Sequence, residues 1–405
     1  MDLPTLDDIR DYNSVLLRVD INAPIVNSTI LDTSRFKSHV PTLRELEDKK
    51  VVILAHQSRP GRRDFTTLEE HGRVFSKILG REVEYVDEIF SKRVVEKIKA
   101  MRKGEILLLE NVRFYAEEQL ERSAEEHAES LLVKRLANLF DIFVNDAFSA
   151  FHRSHASLIG FIPLLPSVIG RLAEKEITAL SRALKSGERI AFVLGGAKIK
   201  DPMKVMKNVL TNRIAEKVFL TGIVANYFLM LSGYDIGEEN RKIVEDNKEG
   251  VKDEDAKALL EKYREMIVLP TDFGVERGDL RIDIPVEEFD GKGKIKDIGI
   301  ATVNEISKQI PEFETVVING TAGVYEDNKF SLGTYEILKS ASKTYSIVGG
   351  GHTASAVNLF GLSDRISHVS IAGGACVRFL SGEKLPVIEK LKEYWEKKWK
   401  LKYNL

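Results

Sequence analysis

Basic side chains recur in the first half of this chain just after short apolar runs. "SVLLRV" (14–19) leads into Asp20 and Asn22, and Arg35 follows in "DTSRFKSHV". "VVILA" (51–55) leads into His56 and Arg59, "EILLL" (105–109) into Arg113, and "DIFV" (141–144) into His152, Arg153 and His155. A guanidinium donates two hydrogen bonds in one plane, which matches a carboxylate or a phosphate. Asp20 and Asn22 could accept from a hydroxyl beside it. The set suits a small phosphorylated, hydroxylated acid.

In the second half the corresponding positions hold glycine. Gly195 and Gly196 follow "IAFVL" (190–194), with Lys198 just beyond. Asn319 and Gly320 follow "TVVI" (315–318), and Gly373 and Gly374 follow "SHVSI" (367–371). "TYSIV" (344–348) runs into Gly349, Gly350 and Gly351, then His352 and Thr353. The first turn of a helix has free N–H groups and a partial positive charge. A bare turn lets an anion approach that backbone, so such turns cradle phosphates. Four of them after successive apolar runs point to a nucleotide. There is no G-x-x-x-x-G-K-[ST], which excludes a P-loop protein, and no G-x-G-x-x-G opening a βαβ unit, which disfavours a dinucleotide.

Loops of this kind need strands and helices to hold them. Short β-branched runs alternate with longer amphipathic segments along the whole chain, the pattern of parallel sheets covered on both faces. We therefore expect an α/β protein with two doubly wound parallel-sheet, Rossmann-like domains joined by a hinge helix. The first spans 1–165 with the tail 385–405, and the second spans 166–384. Pro163 and Pro166 punctuate the chain within the hinge segment 160–187, and a long helical pattern follows them. The stretch 123–139 reads as amphipathic helix, and so does the tail, where Leu391, Trp395 and Trp399 share a stripe.

Composition agrees. The 405 residues exceed one ordinary core. Hydrophobic residues make up 43% and charged residues 30%, with a net charge of −2, so the bulk offers no attraction for nucleic acid or membrane. No apolar run is long enough for a membrane span. The single cysteine, Cys376, fits a packed residue in a reducing, cytoplasmic setting.

The motifs "RVDINAP", "HQSRPG", "LLLENVRF", "FVNDAFSAFHRSHAS", "LGGAKIKD", "VVINGTAGVYE", "VGGGHT" and "SHVSIAGGACVRFLSGEKLP" occur in that order. With them the chain resembles phosphoglycerate kinase along nearly its whole length. The resemblance implies phosphoryl transfer between 1,3-bisphosphoglycerate and ADP, giving 3-phosphoglycerate and ATP, with Mg²⁺ and closure of two domains. It implies an acid site of Asp20, Asn22, Arg35, His56, Arg59, Arg113 and Arg153. It implies a nucleotide site of Gly195, Gly196, Lys198, Gly222, Asn319, Gly320, Glu326, Gly349, Gly350, Gly351, His352 and Thr353. Arg35, Lys198, Gly373 and Gly374 would surround the moving phosphoryl group. His352 stands where the family commonly has Asp, which leaves the metal ligands open. Pro202 stands where the family commonly has Lys, so Lys200 or Lys204 could share the charge. No nucleic-acid or membrane partner is expected of a monomer or small homo-oligomer. A nicotinamide dehydrogenase and a non-catalytic phosphoacid-binding protein are the competing readings.

Overall fold

The computed structural model describes residues 3–185 and 187–403. Residues 1, 2, 186, 404 and 405, which the domain, hinge and tail ranges above include, lie outside the described residues. The chain forms two compact units, Met1–Thr178 with Lys384–Leu405, and Ala179–Glu383.

The first unit is built on β1 (Ser14–Arg18), followed by a two-residue hairpin of β2 (Ile25–Val26) and β3 (Thr29–Ile30). Then come β4 (Lys50–Leu54), β5 (Glu84–Val86), β6 (Ile106–Leu109), β7 (Ile142–Asn145) and β8 (Ser167–Ile169). Apart from the hairpin these strands make one parallel sheet in the order β5-β6-β4-β1-β7-β8. Strands β6 and β7 are buried throughout, as continuous apolar runs in a doubly covered parallel sheet should be. The chain runs outward from β1 through β4 and returns to β7 on the other side. The topological switch therefore falls at β1, and ligands of such sheets bind beyond the carboxyl ends there.

The second unit carries β9 (Ile190–Leu194), β10 (Lys217–Leu220), β11 (Ile267–Val268), β12 (Asp272–Arg277), β13 (Leu280–Pro285), β14 (Lys294–Ile298), β15 (Thr315–Asn319), β16 (Tyr345–Gly349) and β17 (His368–Val369). Its parallel sheet has the order β11-β10-β9-β15-β16-β17, so the switch lies between β9 and β15.

Three features differ from the sequence expectation. The boundary expected at 165/166 falls at 178/179, inside the helix Arg171–Ala183, because Ser167–Ile169 pairs with β7 and belongs to the first sheet. The prolines that flank this strand disguised it as a linker. A small antiparallel sheet, β13-β12-β14, was not anticipated. Its strands alternate apolar with charged residues, and Gly278 (φ +59°) and Asp279 turn the hairpin. The stretch 123–139 is two helices, Ala124–Ala128 and Leu131–Leu136, followed by a 3₁₀ turn. Ser130 caps the second helix by accepting from the Val133 amide, so the break is built into the sequence.

The tail helix is Pro386–Tyr394, after which a π turn, Trp395–Trp399, widens the spiral. Both indoles enter the apolar core beside Leu6, Ile9 and Val15 of the first unit. Trp395 stacks on Tyr403 with ring centroids 6.1 Å apart. Truncating such a buried ring removes its transfer energy and leaves a cavity. Trp395→Ala should therefore lower the unfolding free energy by about 3–5 kcal/mol. Chemical denaturation checks this, and a loss too small to resolve would mean the tail is not part of that core.

Candidate active site

In the first unit the loops after β1, β4, β6 and β7 are tied to one another before any ligand is considered. Arg18, the last residue of β1, is 1% exposed. Its Nε donates to Ser157 Oγ (2.9 Å), its Nη1 to the Val19 carbonyl, and its Nη2 to His56 Nδ1 (3.0 Å). His56 Nδ1 therefore accepts, and the imidazole is neutral. Burial holds its pKa well below the usual value, with Arg18 and Arg113 adding to that and Asp20 opposing it.

Asp20 is also buried. Burial by itself would raise its pKa, but the Arg35 guanidinium and donors from Ser149 and the Asn22 amide outweigh it and hold the carboxyl low. Asn22 Oδ1 accepts from the Ser58 amide at 2.9 Å, joining the loop after β1 to the loop after β4. Ser58 sits at φ +54°, a strained position for a residue with a side chain. Arg113 donates to the Ser58 carbonyl, and its Nε is buried with no partner among the described residues. Burial first, then Arg153 and Arg18, lowers the Arg113 pKa to about 10. The guanidinium groups thus crowd one another, as cations do where an anion is meant to sit. Arg153 is half-buried and Arg59 is exposed on the loop after Ser58.

Of the seven expected acid-site residues, Asp20, Asn22, Arg35 and Arg113 are linked directly or through Ser58, while His56 is held by Arg18. Arg153 acts on the others through its charge. Arg59 makes no side-chain contact with them that the structure records, although it extends the same loop. Sequence reasoning missed Arg18, Ser149, Ser157 and Glu118. Glu118 accepts from the Ser157 amide (2.7 Å) and hydroxyl (2.6 Å). Its pKa is raised by burial, against the pull of Arg18 and Ser157. The one available signal was a charged residue ending an otherwise apolar strand.

In the second unit the turns after β9 and β15 lock together. The Gly195 amide donates to the Asn319 carbonyl and the Gly196 amide to the Thr321 carbonyl, both at 2.9 Å. The Gly320 amide donates to Thr353 Oγ1 at 2.9 Å, bringing in the helix Gly351–Leu359. Gly320 is at φ +98°, and a Cβ there would collide with the Gly195 carbonyl. The expectation that these glycines clear the way for an anion is therefore corrected in part. Gly195, Gly222 and Gly320 are bare because neighbouring backbones touch them, and a Cβ on Gly349 would press on Cys376 Sγ at 3.0 Å. Gly351 and Gly373 have open space where a Cβ would be, but Gly373 is at φ +50°, which itself favours glycine, so only at Gly351 does ligand approach remain the simple reason.

Lys198 is exposed in the turn before the helix Lys200–Thr211, and Gly373 precedes the helix Gly374–Leu380. Asn319 Nδ2 and Thr221 Oγ1 are buried without partners among the described residues, donors placed where these turns meet. Glu326 and His352 are both exposed, with His352 Nδ1 3.9 Å from Glu326 Oε1. Pro202 lies in the first turn of its helix, where a missing amide costs nothing. Lys204 is paired with Glu383 at 2.7 Å, which leaves Lys200 the less committed substitute.

A cavity of about 860 Å³ lined by Asp11, Tyr12, Asp141, Trp399 and Tyr403 lies at the other, amino end of the first sheet. Its Asp141 is occupied by the Asn13 and Ser14 amides, and Asp7 by Arg171.

Parallel sheets with an anion-ready loop cluster in one unit and interlocked glycine turns in the other define a two-unit α/β phosphotransferase. The family model for phosphoglycerate kinase matches residues 6–383. A phosphoglycerate kinase from Archaeoglobus fulgidus is 67% identical over 399 residues, covering 98% of each chain. One from Methanosarcina mazei is 48% identical, covering 97% of this chain and 96% of the relative. The crystal structure of phosphoglycerate kinase from Pyrococcus horikoshii superposes with a TM-score of 0.89 at 38% identity, covering 98% of this chain and 100% of the other. That from Coxiella burnetii gives 0.82 at 31% identity, covering 97% and 99%. The chain belongs to the phosphoglycerate kinase family. It is a kinase of glycolysis that transfers a phosphoryl group between 1,3-bisphosphoglycerate and ADP, forming 3-phosphoglycerate and ATP. The competing dehydrogenase and binding-protein readings fall away.

The electrostatics give a pH prediction. Besides His56, burial lowers the pKa of His71 to about 4 and, aided by Arg153, Arg113 and Arg18, that of His155 to about 3. An unfolded imidazole titrates near about 6.5. The unfolded chain therefore takes up protons first as pH falls. Stability from these neutral imidazoles is complete above about 6.5 and is lost as pH drops through about 4 and then about 3. Urea midpoints across this range should show the decline. His71→Gln keeps a donor toward Gln57 but cannot titrate, and should flatten it; an unchanged slope would exclude His71 as a cause.

Proposed function

We propose that the first unit binds 3-phosphoglycerate through Asp20, Asn22, Arg35, His56, Arg59, Arg113 and Arg153. The second binds ADP or ATP through the turns at Gly195–Gly196, Gly222, Asn319–Gly320, Glu326 and Gly349–Thr353. The observation that carries this reading is the mutual crowding of Arg18, Arg113 and Arg153, which an anion would relieve. Asp20 and Asn22 supply acceptors for the acid's hydroxyl, and neutral His56 has Nε2–H left to donate.

An acyl phosphate is a reactive donor, so alignment and charge neutralisation do the work. Arg35, Lys198 and the bare amides at Gly373 and Gly374 surround the oxygens of the moving group. No general base is required when an ADP oxygen attacks. The two ligands belong to different units, so we further propose that closure about the 160–187 segment brings them together and excludes water.

Mg²⁺ is held chiefly by substrate phosphates and water in such reactions, with one or two carboxylates. Among the described residues no three His, Cys, Asp or Glu side chains gather to cage an ion. An ion delivered with the nucleotide would need few protein ligands, and its contribution would be to neutralise phosphate charge. Asp201, in the first turn of Lys200–Thr211, is the carboxylate nearest Lys198 in sequence. Among the described residues no helix is long and apolar enough to cross a membrane. We further propose a cytoplasmic monomer or small homo-oligomer with no nucleic-acid or membrane partner, and the net charge of −2 offers no bulk attraction for either polyanion.

Lys198→Ala should lower kcat by about 10²–10³ while leaving the KM for 3-phosphoglycerate within about threefold. Equal losses in both would remove Lys198 from the transferring group. Arg153→Ala or Arg59→Ala should instead raise that KM by about tenfold or more, as expected for a charged hydrogen bond. Calorimetric titration with 3-phosphoglycerate separates the two, and unchanged affinity would take that arginine out of the acid site.

A further inference from the structure

A buried pair beneath the acid site has no place in the assignments above. His39 and Asp146 are both 0% exposed. His39 follows the short helix that carries Arg35, and Asp146 follows β7. The Asp20 amide donates to His39 Nε2 at 3.1 Å. The same Nε2 also lies 3.2 Å from the Asp20 carbonyl, but the amide is the shorter contact and can only donate to a bare ring nitrogen, so the single ring proton is placed on Nδ1. There it meets Asp146 Oδ2 at 2.8 Å. Imidazole favours this tautomer only when something holds it, and the carboxylate does so.

Asp146 is itself fixed from several directions. Thr42 Oγ1 donates to the same Oδ2 at 2.8 Å. Oδ1 accepts from the Ala173 amide at 3.0 Å, in the first turn of Arg171–Ala183. Thr42 Oγ1 accepts from the Arg171 amide at 2.9 Å. Gly170 is bare because a Cβ there would collide with Oδ1. The Asp146 amide donates to the Arg18 carbonyl at 2.8 Å. A carboxylate so held has one orientation, and so has the imidazole resting on it.

We propose that His39 is a positioning residue for the acid site. Oriented by Asp146, its bare Nε2 fixes the main chain at Asp20, and with it the carboxylate that pairs with Arg35 and the Asn22 amide behind it. This rests on the reading that Asp20, Asn22 and Arg35 bind the acid. Core packing alone would need neither the Nδ1–H tautomer nor an acceptor aimed at a loop amide. Removing His39 leaves the Asp20 amide and Asp146 Oδ2 each short of a partner. The loop is then free to leave the geometry the substrate needs, while nothing in the second unit is touched.

The test has two arms. In the wild-type protein labelled uniformly with ¹⁵N, long-range proton–nitrogen spectra should show the His39 imidazole with the proton on Nδ1 and a bare Nε2. Adding 3-phosphoglycerate should move that Nε2 signal and the Asp20 and Asn22 amides. In steady-state assays, His39→Ala should raise the KM for 3-phosphoglycerate about tenfold, with kcat and the KM for ATP within about twofold. Thr42→Val, which removes the other donor to Asp146 Oδ2, should change that KM by less than about threefold. An Nε2–H tautomer overturns the proposal even if the alanine variant does not fold. So does an unchanged KM in His39→Ala, or an equal rise in Thr42→Val. If the Asp20 and Asn22 amides ignore 3-phosphoglycerate in the wild type, the acid-site reading fails and this proposal falls with it. If they respond but His39→Ala binds normally, only the role of His39 is lost.

Discussion

A guanidinium sealed at the end of an apolar strand cannot be left uncompensated, and Arg18 sets that condition for the first unit. Ser157, His56 and the Val19 carbonyl take its hydrogen bonds, and Glu118 supplies the opposing charge through Ser157. Those four partners come from four stretches of chain that meet only at the carboxyl edge of the sheet. Satisfying one buried charge therefore aligns the loops that carry the acid-binding groups. Arg113 and Arg153 add positive charge that the buried carboxylates do not balance, and in the proposed site a phosphorylated acid would supply the remainder.

The second unit solves a different problem with less charge. In the proposed nucleotide site its turns would bring backbone amides to phosphates, which calls for rigid turns. Interlocking Gly195, Gly222 and Gly320 achieves this, because contacts between bare backbones leave no side chain to relax. The rigidity comes from the glycines that touch each other. Access comes from Gly351, where a Cβ would touch nothing. One residue type performs both tasks, and the sequence does not separate them.

The departures from the family's common motifs read differently once placed. Pro202 occupies a helix first turn that tolerates it, so the missing lysine is absorbed without a break in the fold. His352 is exposed beside Glu326, and this makes it a surface of the nucleotide turn and not part of its frame. His39 sits in the core and spans from Asp146 to the loop at Asp20, a contact that no motif advertises.

Every strand of the two parallel sheets except Ser167–Ile169 was legible in the sequence, because most of them are short apolar runs, as doubly covered strands should be. The order of basic and glycine-rich loops was legible too, since each follows such a run directly. The small antiparallel sheet was hidden, its alternating charged residues resembling an exposed loop. The sequence by itself determined the alternation of strands and helices, the kind of chemistry each half offers, and the family. Only the tertiary structure decided that Arg18 anchors the acid-site loops, which glycines pack and which stay open, and where the first unit ends. Those depend on partners up to 139 residues away in the chain, as between Arg18 and Ser157. Burial and hydrogen bonding at that range are properties of the folded arrangement and not of local sequence.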